Sequence, residues 1–294
     1  MAPRHAAREI SYAHSAETRR ARAVIRLMEN STGRLRLLRH AKGYDQEVAE
    51  GADFWRVMCD RYKLGLDVVG GDLSHIPETG PLVVVANHPY GILDGLMMGR
   101  ILSERRGGDF KVLANSVFRK SSDLEKVILP VSFDDTKDAA VLNLKTRRDA
   151  LCYLNGGGAI GVFPGGTVST AARPFSKALD PQWRNFTAKM IAKSDATVVP
   201  IFFDGTNSRV FQLASRMSQT LRMGLLIREF RARVGSDVRT VIGAPIPPSE
   251  LKARAGDAKS LMDFLRKATY DLSPTPLPAN DLGLEFETRY KRKG

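Results

Sequence analysis

Val83-Val84-Val85-Ala86-Asn87-His88-Pro89-Tyr90-Gly91-Ile92-Leu93-Asp94-Gly95 is the stretch from which the rest of the chain is read. The run Leu82–Ala86 is short, β-branched and has no polar alternation, so it reads as a strand buried on both faces, as in a parallel sheet. A polar turn with Pro89 and Gly91 follows, and a helix opens around Leu93. Ligand sites in open α/β sheets gather at such carboxyl ends of strands. Of the five histidines, His88 is the one at a strand end with an aspartate, Asp94, shortly after it. An imidazole there can accept a proton from an alcohol, and a carboxylate on its other nitrogen fixes the tautomer and stabilises the imidazolium. On its own, the pair is a weak signal that a structural histidine in a turn explains better.

Outward from this stretch, strands are predicted at Leu64–Val69, Phe110–Ala114, Val127–Val131, Ala159–Phe163, Thr197–Phe203 and Thr240–Ile242. Helices are predicted over residues 16–42 and 44–63, and at Leu93–Glu104, Thr136–Leu154, Pro181–Ser194 and Ser249–Leu272. No element is assigned between Phe203 and Thr240. Alternating strands and helices give an α/β fold in three layers, a largely parallel sheet flanked by helices, with a basic helical N-terminal extension. The organisation expected is an extension over residues 1–63, one main domain over 64–250, and a C-terminal helix and basic tail over 251–294. The Ser-Pro-Thr-Pro-Leu-Pro run after Leu272 reads as extended chain.

Two further strands end in turns suited to a ligand. In Gly161-Val162-Phe163-Pro164-Gly165-Gly166-Thr167-Val168-Ser169-Thr170, glycines let backbone N–H groups approach an anion, and hydroxyls add donors. A plain tight turn would have the same letters. Val198-Val199-Pro200-Ile201-Phe202-Phe203 opens into Asp204-Gly205-Thr206-Asn207-Ser208-Arg209, where Arg209 is suited to phosphate or to an ordinary exposed surface. Asn87 and Asn115, at two other strand ends, are candidates for shaping the same site.

Taken together, these segments resemble the lysophospholipid (glycerolipid) acyltransferases of the PlsC type over roughly residues 64–250. His88 and Asp94 match that family's histidine–aspartate motif, and Phe163-Pro164-Gly165-Gly166-Thr167 its Phe-Pro-Glu-Gly-Thr motif. Val199-Pro200-Ile201 matches its late Val-Pro-Ile strand, and Val241-Ile242-Gly243-Ala244-Pro245-Ile246 its Gly-x-Pro-Ile strand. The resemblance implies an O-acyltransferase. It would move a fatty acyl chain from acyl-CoA or acyl carrier protein to a lyso-lipid hydroxyl, with no cofactor beyond that co-substrate. It implies His88 as general base with Asp94 supporting it, and Asn87, Gly165, Gly166, Thr167 and Arg209 as substrate-binding residues.

Three departures stand out. Five residues separate His88 from Asp94 where the family usually has four. The motif glutamate is Gly165 here, and the arginine that often follows the threonine is Val168. In the family those side chains help bind the acceptor's polar head, so glycerol 3-phosphate and lysophosphatidate fit this chain poorly as acceptors. The spacing and the Asp-Gly-Thr-Asn-Ser-Arg stretch look like the haemolysin-like branch, which includes enzymes associated with ornithine-lipid synthesis, so an aminoacyl lipid is an alternative acceptor. A catalytically silent lipid-binding protein of the same fold is the competing reading.

Composition narrows the partners without choosing among them. The chain has 294 residues and a net charge of +13, with a pI of 9.9. Such an excess suits an anionic membrane, nucleic acid or coenzyme A. Nucleic acid is not expected as a partner, since no recognised binding motif accompanies the charge. Residues 1–42 carry ten Arg or Lys against three Glu, and Arg289, Lys291, Arg292 and Lys293 form a second basic cluster. The N-terminal segment suits either docking on anionic lipid or packing on the protein's own core. No apolar run approaches the ~20 residues needed to span a bilayer, and no secretory signal is apparent. The location expected is cytoplasmic, peripheral on the inner face of the membrane.

Cys59 and Cys152 form no framework and are expected to be inert core residues in a reducing compartment. The glycines of Gly156–Gly161 precede a strand, where a dinucleotide fingerprint must follow one. There is no GxSxG elbow, no Walker A sequence and no metal-ligand spacing.

Overall fold

Leu82–Ala86 lies at the centre of a sheet, between Ala159–Val162 and Thr197–Phe203 and parallel to both. The computed structural model describes residues 10–16, 18–115, 122–132, 136–278 and 280–286. A 3-10 turn (Ala13–Ser15) is followed by helices α1 (Arg19–Thr32), α2 (Arg34–His40), α3 (Tyr44–Ala49) and α4 (Phe54–Tyr62). The chain then runs through β1 (Gly65–Gly71), β2 (Leu82–Ala86), α5 (Ile92–Arg106), β3 (Phe110–Asn115), α6 (Ser122–Glu125), β4 (Ile128–Val131), α7 (Lys137–Asn155) and β5 (Ala159–Val162). A small hairpin, β6 (Thr170–Ala171) and β7 (Ala178–Leu179), leads to α8 (Asn185–Ile191) and β8 (Thr197–Phe203). Helices α9 (Arg209–Met217) and α10 (Gln219–Arg233), strand β9 (Asp237–Ile242), and helices α11 (Pro248–Lys252) and α12 (Ala258–Tyr270) complete the described elements.

The main sheet has the order β1-β9-β8-β2-β5-β3-β4. Every neighbouring pair is parallel except β8 with β9, which is antiparallel. Its two faces carry separate cores, because alternate residues of a strand point opposite ways. Leu82, Val84 and Ala86 pack with Trp55 and Met58 of α4 and Met97 and Ile101 of α5. Val83 and Val85 pack with Ala150 of α7, Met190 of α8 and Leu265 of α12. These are the three layers expected. Trp55 lies so close over Gly99 that a Cβ there would sit 2.1 Å from the indole.

The sequence and the structure part at several places. The first predicted helix is two, divided at Gly33, whose φ of 145° only glycine adopts readily. The second is also divided, with Asp53 capping α4 by accepting from the Arg56 N–H. The C-terminal helix splits into α11 and α12. Residues 204–239, assigned no element, hold α9 and α10. Their inner faces bury Ser215, Arg222 and Glu229, polar residues that spoil the periodic apolar signal. Cys59 is buried as expected, but Cys152 is exposed, so its expected place in the core is wrong. The basic cluster at 289–293 lies outside the described residues, as do Arg4 and Arg8.

The N-terminal helices pack on the protein. Ile25 of α1 is buried, and Met28 lies against Gly224 of α10. Glu29 is fully buried and accepts from the Ser11 hydroxyl and the Tyr12 N–H, both at 2.6 Å. Among the described residues no helix is long and apolar enough to cross a membrane.

Candidate active site

The turn after β2 brings the predicted pair together. His88 Nδ1 lies 2.8 Å from Asp94 Oδ2, and the same oxygen accepts from the Tyr90 and Gly91 N–H groups at 2.8 and 2.9 Å. Asp94 stands in the first turn of α5, where the helix dipole favours a carboxylate. Gly91 precedes that helix at φ 95°, and a Cβ there would come within 3.0 Å of the Tyr12 hydroxyl. The Asp94 side chain is fully buried, whereas that of His88 keeps 19% exposure. Burial pushes the Asp94 carboxyl above the usual carboxylate range; the hydrogen bond and charge of His88 and the two amides pull against it. With Nδ1 on the carboxylate, Nε2 is the atom left to accept a proton.

Phe163 from the next turn lies flat against the imidazole, ring centroids 4.3 Å apart and planes 24° apart. The Ser169 N–H donates to the His88 carbonyl at 2.7 Å. The Gly-rich turn after β5 therefore touches the histidine at both its start and its end.

Two residues absent from the sequence reading hold that second turn. Asp180, just after β7 and fully buried, accepts from the His88 N–H at 3.2 Å, the Ser169 hydroxyl at 2.5 Å and the Trp183 indole N–H at 2.9 Å. A Cβ on Gly165 would lie 3.2–3.4 Å from the Asp180 side chain. The carboxylate of Asp180 thus occupies the space beside position 165, where the family motif has glutamate. Arg222 of α10 is also fully buried; it donates to Thr170 Oγ1 at 2.5 Å, Thr167 Oγ1 at 2.9 Å and the Val168 carbonyl at 2.9 Å. Its guanidinium lies over Phe286 at 4.1 Å and Phe211 at 5.3 Å. Burial pulls its pKa down to about 9, which leaves it cationic at neutral pH. A positive charge therefore supports the turn from another helix, where the family motif has it at position 168.

The remaining predicted residues fall in different places. Asn87 forms a two-bond clamp to β8, donating to the Phe203 carbonyl at 2.9 Å and accepting from its N–H at 2.7 Å. Its side chain fixes the end of β2. Gly165 and Gly166 form the turn, with Gly166 at φ 70°. The Gly166 N–H is taken up by the Phe163 carbonyl, so it is not an open anion donor. The Thr167 hydroxyl accepts from Arg222 and keeps its own proton to donate. Asn115 ends β3, paired with Val131 of β4. Arg209 is the first residue of α9, exposed, and takes no part in the hydrogen bonds around His88 described above.

Sequence signals for the missed residues were weak. Asp180 sits 92 residues from His88, though only 11 from Ser169, and Arg222 sits 52–55 residues from its partners in the turn. Tyr12 comes from the N-terminal extension, where aromatic residues carry no motif. Among the described residues no group of three or more His, Cys, Asp or Glu is placed to hold a metal ion.

The chain is 25% identical over 213 residues to a lyso-glycine lipid O-acyltransferase of Phocaeicola vulgatus, covering 69% of this chain and 72% of the relative. A lyso-glycine lipid O-acyltransferase of Bacteroides thetaiotaomicron is 26% identical over 180 residues, covering 58% and 60%. Among solved structures, the 1-acyl-sn-glycerophosphate acyltransferase PlsC of Thermotoga maritima aligns over 80% of this chain and 85% of its own, at 17% identity and a TM-score of 0.44. Residues 55–277 match the model of the acyltransferase family, and that span holds His88, Asp94, Asp180 and Arg222. With this match over most of its length, the chain belongs to the acyltransferase family.

Proposed function

We propose that this acyltransferase moves a fatty acyl chain from an acyl thioester, acyl-CoA or acyl carrier protein, onto a hydroxyl of a lyso-lipid, working as a peripheral protein on the inner face of the membrane. The observation that carries the reading is the 2.8 Å contact between His88 Nδ1 and the buried Asp94. His88 Nε2 would take the proton of the acceptor hydroxyl as its oxygen attacks the thioester carbonyl. The resulting imidazolium is stabilised by Asp94. When the tetrahedral intermediate collapses, the C–S bond breaks and the thiolate leaves with the proton from His88. No acyl-enzyme and no cofactor besides the thioester is needed.

The acceptor we favour is a lyso-lipid with an amino-acid head. Two observations support it: positions 165 and 168 lack the glutamate and arginine that suit glycerol phosphate, and both relatives above are named for lyso-glycine lipid. The test is transfer from a labelled acyl-CoA and a labelled acyl carrier protein to lyso-aminolipids and lysophosphatidate, with His88→Ala beside the wild type. Transfer to the lyso-aminolipids that vanishes in the variant, with its melting temperature unchanged, is expected. Transfer that persists in His88→Ala sinks the mechanism, and labelling of lysophosphatidate alone sinks the acceptor class.

A further inference from the structure

Helix α9 turns an apolar face away from the protein. Phe211 and Ser215 point inward and are buried. Gln212 accepts from the Ala171 N–H and Arg216 donates to the Ala172 carbonyl, which fastens the helix to the start of the β6–β7 hairpin. On the outer side Val210, Leu213 and Met217 are 54%, 42% and 79% exposed. At 3.6 residues per turn they form one stripe, on the side where a surface helix is ordinarily polar. Phe175, in the loop of the hairpin, is 83% exposed.

The charged residues of these two segments are all positive. Arg209 and Arg216 flank the stripe on α9, and Arg173 and Lys177 flank Phe175; neither Arg209–Met217 nor residues 172–177 contain an acid. The acids behind them are already engaged. Glu229 accepts from the Ser208 N–H and hydroxyl, both at 2.7 Å, Glu285 holds Arg184 through two bonds at 2.8 and 3.0 Å, and Asp204 faces Arg239 at 3.6 Å.

The face also borders the site. Strands β2, β5 and β8 are parallel, so the turns that follow them leave the sheet by one edge. Ser169 bonds to His88, and Ala171, two residues on, bonds to α9.

We propose that the outer face of α9 and the tip of the β6–β7 hairpin seat the protein on an anionic lipid bilayer. Leu213, Met217 and Phe175 enter the interface, and Arg209, Arg173 and Lys177 lie among the headgroups. The exposed apolar side chains favour a bilayer over an acidic protein, which would need only the charges. This deepens the lipid-acceptor reading, since a lipid would reach His88 along the edge that faces the membrane, but its test requires no turnover.

The test is co-sedimentation of the full chain with vesicles of phosphatidylcholine alone and of phosphatidylcholine mixed with phosphatidylglycerol, without donor or acceptor. The protein is expected to bind the mixed vesicles and to be released by salt. Leu213→Glu with Met217→Glu is expected to weaken that binding about tenfold or more, the scale of losing two buried apolar side chains. Val141→Glu with Leu144→Glu, an exposed apolar pair on α7, is the control that keeps binding. Unchanged binding by the α9 variant, or equal loss in both variants, overturns the proposal. So does intact vesicle binding with loss of a self-association, or of acyl carrier protein binding, which would assign the face to a second copy or to the carrier. Absence of acyl transfer alone would count against the proposed function and leave this assignment standing.

Discussion

The turn after β2 and the turn after β5 meet at one imidazole and share Asp180, but only the first carries a carboxylate of its own. The first carries its own anchor, though Asp180 and Ser169 also bond to the His88 backbone: Asp94, six residues from His88, accepts from the imidazole and from two N–H groups of the same turn. The second is held from outside, by Asp180 after the hairpin, Arg222 on α10 and Phe286 near the end of the described chain. A local carboxylate suffices where the backbone curls around it at a helix N-terminus. A turn of glycines and hydroxyls has no such anchor, and its order is borrowed from the fold. Chemistry and stability should therefore separate at the first turn and fall together at the second.

The largest effect expected is from His88→Ala, a loss of about 10²–10⁴ in rate with the melting temperature unchanged. A variant that also unfolds early would break the comparison, because the first turn would then depend on the imidazole for its structure.

Asp94→Asn sharpens the same point. Activity should fall by a comparable order, since an amide no longer stabilises the imidazolium. Stability should behave differently. The carboxyl is raised in the folded state, so its contribution is present below the unfolded value, ~4, and is lost as pH rises through the folded one. Melting curves followed upward from about pH 4 should show the wild type losing ground to the variant. The opposite trend would mean that the imidazole and the amides outweigh burial.

At the second turn, Arg222→Lys and Asp180→Asn should cost stability and rate together. The lysine keeps the charge but loses the fork that spans Thr167, Val168 and Thr170. The asparagine keeps the shape but can no longer accept from three donors through a charged group. Each should cost about 1.5–3 kcal/mol by denaturant unfolding, with kcat falling more than KM rises. A loss of rate with no loss of stability would make these side chains parts of the chemistry, not positioning residues.

Thr167→Val should have the smallest effect, about 0.5–1.5 kcal/mol, because Arg222 keeps two of its three acceptors. A rate loss as large as that of His88→Ala would place the threonine hydroxyl at the reacting atoms.

By itself the sequence determined the features written in adjacent residues. Unbroken β-branched runs marked the central strands, because a strand buried on both faces needs no polar alternation. His88 and Asp94 were legible as a pair because six residues suffice to turn a strand end into a helix. The motif spacing also exposed the missing glutamate and arginine at 165 and 168. The tertiary structure alone decided what replaces them. Asp180 reaches His88 from 92 residues away and Arg222 reaches the second turn from 52–55, and no local pattern records a contact at that range. It also decided that the basic N-terminal helices pack on α10, since an apolar stripe serves a lipid or a core equally well in sequence. Helices α9 and α10 were hidden for a related reason: both bury polar residues inward and α9 also leaves apolar ones outside, and only the folded neighbours show which face is which.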